Sequence, residues 1–209
     1  MSSLFLKYWK SVLSINLVFC LLVFRFEYYY LYSENSLLEN LQGLLLFVGA
    51  VAYLALSRFV GSDLRLASVG AGLLCFSFFI REVDLELLPL LEHIGFMFHG
   101  PGRTLMLLLI WGFYIRVVVR QGPFMTLIDS LRSSQYFHYF VVAFLLLVVG
   151  AIFDKEFFPI QHGRLFEEVS ETNAYLFLIM PALYELYTRF RERAEQAPNL
   201  AVDAKDRTH

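Results

Sequence analysis

The sequence predicts an all-α protein, a polytopic bundle of about six transmembrane helices with both termini in the cytoplasm. The chain of 209 residues is 58% hydrophobic and only 17% charged, whereas soluble domains carry about 25% charged residues. Its apolar residues are concentrated in long runs separated by short charged loops. Its basic residues are concentrated in alternate loops. Together these patterns indicate a multi-pass membrane protein.

Each apolar run approaches the length of about 20 residues that a helix needs to cross a bilayer. The first run follows two lysines, as in a signal peptide, but it has no small-residue cleavage site and is interpreted as a retained helix. The predicted spans are residues 11–32, 37–57, 66–88, 103–119, 136–154 and 171–187. One membrane domain over residues 1–193 therefore accounts for almost the whole chain, followed by a polar tail over residues 194–209 that is predicted to be disordered.

The orientation follows from the basic residues in the loops. In this arrangement most of them fall on one side of the membrane, namely Lys7, Lys10, Arg58, Arg65, Arg116, Arg120, Arg132, Arg189, Arg191 and Arg193. The opposite loops hold Arg103, Lys155 and Arg164. The positive-inside rule makes the first side cytoplasmic. The predicted location is thus the cell membrane, of the bacterial inner-membrane type, and a net charge of −2 gives no indication of nucleic-acid binding.

The loop over residues 122–134 has a pattern of its own. Phe124, Leu127, Ile128 and Leu131 recur at helical spacing, with polar residues between them. This predicts a short amphipathic helix on the inner membrane surface, which anchors the loop; a partner-binding helix is the alternative.

The acidic residues are distributed in the opposite way, since twelve of the nineteen lie towards the outside in this arrangement. Arg81 lies about 24 Å along its span from Arg65, within a hydrocarbon core about 30 Å thick. Because a charge at that depth costs several kcal/mol unless it is paired, Arg81 and Glu82 are predicted to face the bundle interior. The start of the last span adds three carboxylates within one and a half turns, those of Glu167, Glu168 and Glu171. They repel one another unless an arginine or a divalent metal compensates.

This outer cluster supplies the candidate site residues. The predicted catalytic residues are Arg81, Glu82 and Asp84, with a carboxylate as general base or orienting acid. Arg25 and Arg103 are predicted to bind a phosphate or carboxylate of the substrate. The predicted ligands of a divalent metal are Glu168, Glu171, His93, His99 and His162. The corresponding function is a membrane enzyme, dependent on that metal, acting on a lipid head group or another envelope molecule.

A non-enzymatic interpretation stays open beside it, because the chain has no zincin, nucleophile-elbow or phosphate-loop motif. In this interpretation Arg81 forms a structural ion pair with Glu82 or Asp84. The three histidines are ordinary loop residues, and Glu39 belongs to a capping box with Ser36. On this view the protein is a small transporter or a structural subunit of an envelope complex. Its expected partners are membrane lipid and either another membrane protein or further copies of itself. The sequence does not decide whether it is an enzyme.

Overall fold

The computed structural model describes residues 37–83, 100–121, 136–155 and 163–206, together with scattered positions between 8 and 25 and between 128 and 134; side chains are described as far as residue 195. The continuous helices are α1 (Leu37–Leu56), α2 (Ser62–Glu82), α3 (Gly100–Gln121), α4 (Phe137–Asp154) and α5 (Gly163–Asp206). The described positions between 8 and 25 are also helical. No strand occurs in the described part of the chain, so the predicted all-α class is confirmed.

Four of the described helices are long and apolar enough to cross a membrane. Their apolar stretches are Leu38–Leu56, Leu64–Glu82, Gly100–Gln121 and Phe137–Asp154. They correspond to the second to fifth predicted spans, and they identify the chain as a membrane protein by length and composition. The first and last spans stay predictions, as does the cytoplasmic position of the termini. Most of the amphipathic segment 122–134 lies outside the described residues.

Helix α2 ends six residues earlier than the predicted span 66–88. Val83 has an extended backbone with φ −99° and ψ 119°, and its N–H donates to the carbonyl oxygen of Phe79 to close the last turn. A β-branched residue followed by aspartate has low helix propensity, which hydropathy does not register. Arg81 and Glu82 therefore occupy the last turn of α2.

Helix α5 is much longer than the predicted span 171–187, because it begins at Gly163 and continues to Asp206. The sequence predicts disorder from residue 194, whereas the structure continues the helix through residues 194–206. Apart from Pro198, this part is rich in good helix formers, and Arg191 pairs with Glu195 at 2.8 Å with i, i+4 spacing. Hydropathy finds only the apolar central part of such a helix.

Helix α5 is the central element of the bundle and packs against α1, α4 and, at fewer positions, α2. Helix α1 runs parallel to it, since Gln42 contacts Glu168 and Tyr53 contacts Leu178. The Tyr53 hydroxyl donates to the Leu178 carbonyl oxygen at 2.6 Å, in the turn before Pro181. This hydrogen bond joins α1 to the turn of α5 that precedes Pro181.

Helix α3 lies at the edge of the bundle and contacts α2 through two aromatic side chains. The Trp111 indole N–H donates to the Ser77 hydroxyl at 3.0 Å, and the Tyr114 hydroxyl donates to the Leu66 carbonyl oxygen at 2.9 Å. Gly70 permits this approach, because a Cβ there would collide with the Tyr114 hydroxyl. Large apolar side chains cover the rest of α3, including Phe113, which is 70% exposed. Such a surface suits lipid rather than water.

Candidate functional site

Most of the buried polar side chains that the structure describes lie at one end of the bundle. Helices α1 and α5 both begin there, and α2 ends there, because α2 runs antiparallel to the other two. The buried polar residues of this end are Gln42, Glu168, Glu171, Thr172 and Asn173. We call this set, together with the arginines and carboxylates that contact it, the outer-end network, after the side of the membrane on which the sequence predicts it to lie.

Arg81 links α2 to α5 in the first part of the outer-end network. Its Nη2 donates to both carboxylate oxygens of Glu171, at 2.9 and 3.1 Å, and its Nε donates to Glu82 Oε1 at 2.9 Å. The Tyr175 hydroxyl, on the next turn of α5, donates to the same Glu82 oxygen at 2.9 Å. One guanidinium therefore holds two carboxylates, and a phenol orients one of them.

The exposure of these three charged groups is unequal. The side chains of Glu82 and Glu171 are 10% and 11% exposed, whereas that of Arg81 is 48% exposed. The described residues provide hydrogen-bond partners for Nε and Nη2 of Arg81, and none of them forms a hydrogen bond or ion pair with Nη1. The half-exposed guanidinium thus binds two buried carboxylates through Nε and Nη2.

A second part of the network joins α1 to α5. The buried Gln42 amide nitrogen donates to Glu168 Oε2 at 2.8 Å and contacts the Glu168 carbonyl oxygen and the Thr172 hydroxyl at 3.1 Å. Arg164 donates to Glu39 at 3.0 Å and lies 3.7 Å from Glu168, one turn further along α5. Glu39 therefore pairs with an arginine of another helix, beyond the capping role that the sequence suggests.

Further carboxylates surround Glu171. Asp154 at the end of α4 acts electrostatically on both Glu167 and Glu171. Gly150 makes room for Glu171 beside α4, since a Cβ at Gly150 would lie 3.0 Å from Glu171 Cγ. The described network therefore has more carboxylates than bases: Glu39, Glu82, Asp154, Glu167, Glu168 and Glu171 against Arg81, Arg164 and Lys155.

The helical positions before α1 also contact this end. Asn16 and Asn173 exchange two side-chain hydrogen bonds, of 2.7 and 2.8 Å. Trp9 packs against Phe177 with ring centroids 5.2 Å apart. The first predicted span is therefore adjacent to α5.

The structure brings together part of the predicted site. The contact of Arg81 with Glu82 and Glu171 is confirmed, whereas Glu168 is held separately by Gln42 and Arg164. Arg25 is an exposed helical residue, and Arg103 lies in the first turn of α3. Asp84, His93, His99 and His162 lie outside the described residues.

The predicted metal site is not assembled from the described residues, which contain no group of three potential ligands placed to hold an ion. Of the predicted ligands, only Glu168 and Glu171 are described, and each is engaged by a different arginine. The metal therefore stays a prediction that depends on the histidines.

Sequence reasoning missed the polar residues that complete the network, namely Gln42, Arg164, Asn16 and Asn173. A usable signal existed for Gln42, which is the last strongly polar residue before the apolar stretch of α1. An amide at that position must find a partner within the bundle. Arg164 gave no such signal, because its pairing with Glu39 spans 125 positions of sequence.

Comparison of the chain with protein-family models, with curated proteins and with solved structures returned no match.

Proposed function

We propose that this is a multi-pass protein of the cell membrane, with six spans and both termini in the cytoplasm, whose outer-end network binds a head group that carries a positive charge. The head group belongs to a lipid or to another envelope molecule. The observation that carries this proposal is the excess of carboxylates around one half-exposed arginine.

The carboxylates of the network outnumber the positive charges that the described residues place beside them. One guanidinium neutralises one carboxylate, but Arg81 is shared by Glu82 and Glu171, and Asp154 and Glu167 add further negative charge nearby. Uncompensated charge away from bulk water costs several kcal/mol. A bound cationic group removes much of that cost. The ammonium group of a zwitterionic head group satisfies this requirement, and the half-exposed Arg81 guanidinium then donates to the phosphate of the same head group.

The catalytic roles predicted from the sequence belong to this proposal as its enzymatic form. Glu82 is then the general base, because it is the carboxylate that Tyr175 and Arg81 orient beside the exposed guanidinium. Arg81 holds the phosphate of the substrate and stabilises negative charge that develops on it. A divalent metal bound by Glu168, Glu171 and the loop histidines is the alternative source of positive charge.

A second candidate function is non-enzymatic, a small transporter or a structural subunit of an envelope complex. It is favoured by the contacts themselves, since Arg81 joins α2 to α5 and Arg164 joins α5 to α1. In this case the network only locks the helices together.

Glu171→Gln distinguishes the two functions. Glutamine keeps the shape of the side chain and removes its charge, so a binding site loses affinity for short-chain phosphatidylethanolamine by about tenfold or more. The purified full-length protein is titrated calorimetrically in detergent, and its thermal unfolding and metal content are measured in parallel. Glu185→Gln is the matched control, because Glu185 lies on the same helix and pairs with Arg189 at 2.9 Å, far from the outer end.

Each role of the network predicts a different result for the Glu171→Gln protein. A stable Glu171→Gln protein with weakened phosphatidylethanolamine binding supports the binding site, and loss of bound metal instead supports the metal form. A helix-locking role predicts destabilisation by about 1–3 kcal/mol, because Arg81 loses its charged partner on α5 and the link between α2 and α5 is weakened. A Glu171→Gln protein with unchanged stability and binding would exclude both functions.

A further inference from the structure

An apolar groove lies between α2 and α3, on the side of the bundle away from the outer-end network. Its volume is about 710 Å³. Leu66, Val69 and Leu73 of α2 form one wall, and Leu109 and Phe113 of α3 form the other. The groove exists because α3 and α2 share few contacts, which include the hydrogen bonds of Trp111 and Tyr114.

The polar residues of the groove are confined to one end. Ser62 and Arg65 in the first turn of α2 and Gln121 at the end of α3 line that end. Arg65 is exposed and forms no ion pair with any side chain that the structure describes. The groove is thus an apolar channel with the exposed Arg65 guanidinium at its mouth.

The length of the groove matches one leaflet of a bilayer. Its α2 wall runs from Ser62 to Leu73, which is about 16 Å at the rise of an α-helix. Half of a hydrocarbon core is about 15 Å. With Arg65 at the membrane surface, Leu73 lies about 12 Å into the hydrocarbon core, so the groove stays within one leaflet.

From these features we infer that the α2–α3 groove binds an anionic phospholipid. One acyl chain lies along Val69, Leu73 and Phe113, and the phosphate accepts hydrogen bonds from Arg65. Basic sites between transmembrane helices at the cytoplasmic side are suited to anionic head groups, and the predicted topology places Arg65 on that side. The inference needs α2 and α3 to lie in a membrane, and it does not depend on what the outer-end network binds.

The test measures lipid binding to the purified full-length protein in nanodiscs of phosphatidylcholine with a fraction of phosphatidylglycerol. Native mass spectrometry counts the phosphatidylglycerol molecules that stay bound to the protein after it is released from the nanodisc. Arg65→Ala is expected to weaken that binding about fivefold, the contribution of one arginine near a membrane surface. Arg58→Ala is the matched control, since Arg58 is an exposed arginine at the same end and does not line the groove.

A second variant tests the apolar part of the groove without changing charge. Val69→Trp fills the groove and is expected to abolish the bound lipid, while thermal unfolding shows whether the helices stay packed. Glu171→Gln, at the outer end, should leave phosphatidylglycerol binding unchanged, so failure of this proposal and failure of the head-group site give different results. Equal retention of phosphatidylcholine and phosphatidylglycerol, or unchanged binding in both groove variants, would overturn the inference.

Discussion

Glu168 and Glu171 lie three residues apart on α5, and their carboxylates are held by donors from different helices. Arg81 of α2 holds Glu171, whereas Gln42 of α1 holds Glu168. A metal ion bridging the two would have to displace both donors. The arginine-centred site therefore follows more directly from the contacts than the metal site does, although the role of the loop histidines stays a prediction.

Gln42 is the residue on which the contact of α1 with Glu168 depends. It is completely buried, and its amide nitrogen serves Glu168 and Thr172. Gln42→Leu removes this donor and leaves a buried carboxylate without it, so we expect a loss of stability of about 1–3 kcal/mol. Reversible unfolding in mixed micelles measures the change.

The control for this substitution is Gln121→Leu, at the exposed end of α3. The same change at an exposed site should alter stability by no more than about 0.5 kcal/mol. Equal stability of the Gln42→Leu and Gln121→Leu proteins would show that the buried amide does not stabilise the bundle.

At the scale of elements, the close approach of α1 to α2 and α5 depends on a glycine. A Cβ at Gly49 would collide with Ile179 Cγ2 of α5 and would lie 3.1 Å from Cys75 Sγ of α2. Small residues allow this kind of close packing between helices in membranes. Gly49 therefore sets the spacing at the centre of the bundle.

Gly49→Ala is expected to destabilise the protein by about 1–3 kcal/mol, because the surrounding side chains must shift to admit the extra methyl group. Gly112→Ala is the matched control, since nothing lies within 4 Å of a Cβ at that position of α3. Alanine there should be neutral or stabilising, by up to about 1 kcal/mol, because it has the higher helix propensity. The thermal unfolding temperatures of both variants and the wild type are compared in the same detergent. A Gly49→Ala protein as stable as the wild type would show that α1 can shift to admit the methyl group.

The positions of the four apolar helices could be predicted from the sequence, because hydropathy measures the property that makes them span a membrane. Their ends could not. The end of α2 depends on the backbone of Val83, and the length of α5 depends on its charged flanks, which are good helix formers but poor membrane residues. Both features depend on a few neighbouring residues, and a hydropathy average over a long stretch of sequence does not detect them.

At the scale of the whole molecule, the two ends of the bundle differ in charge. The outer-end network has more carboxylates than bases, while the other end carries Arg58, Arg65, Arg120 and Arg189. The sequence predicted the meeting of Arg81 with Glu82 and Glu171 from the cost of leaving these charges in lipid. It could not predict which carboxylate each arginine pairs with, because the pairing depends on how α1, α2 and α5 pack.

This charge difference leads to a prediction about topology. The positive-inside rule places the arginine-rich end in the cytoplasm, so the outer-end network faces outward. A reporter that is active only outside the cytoplasm should work when it is fused after Glu92 and should fail after Arg120 or at the C-terminus. A cytoplasmic reporter at the same three positions should give the opposite pattern and controls for expression.

The antiparallel course of α2 and α3 requires the fusions after Glu92 and Arg120 to differ, whichever way the protein inserts. The C-terminal fusion tests the last predicted span, because α5 contains charged residues on both sides of its apolar centre. An active C-terminal reporter, with the other two as expected, would mean that α5 does not cross the membrane, and the six-span arrangement would then be wrong.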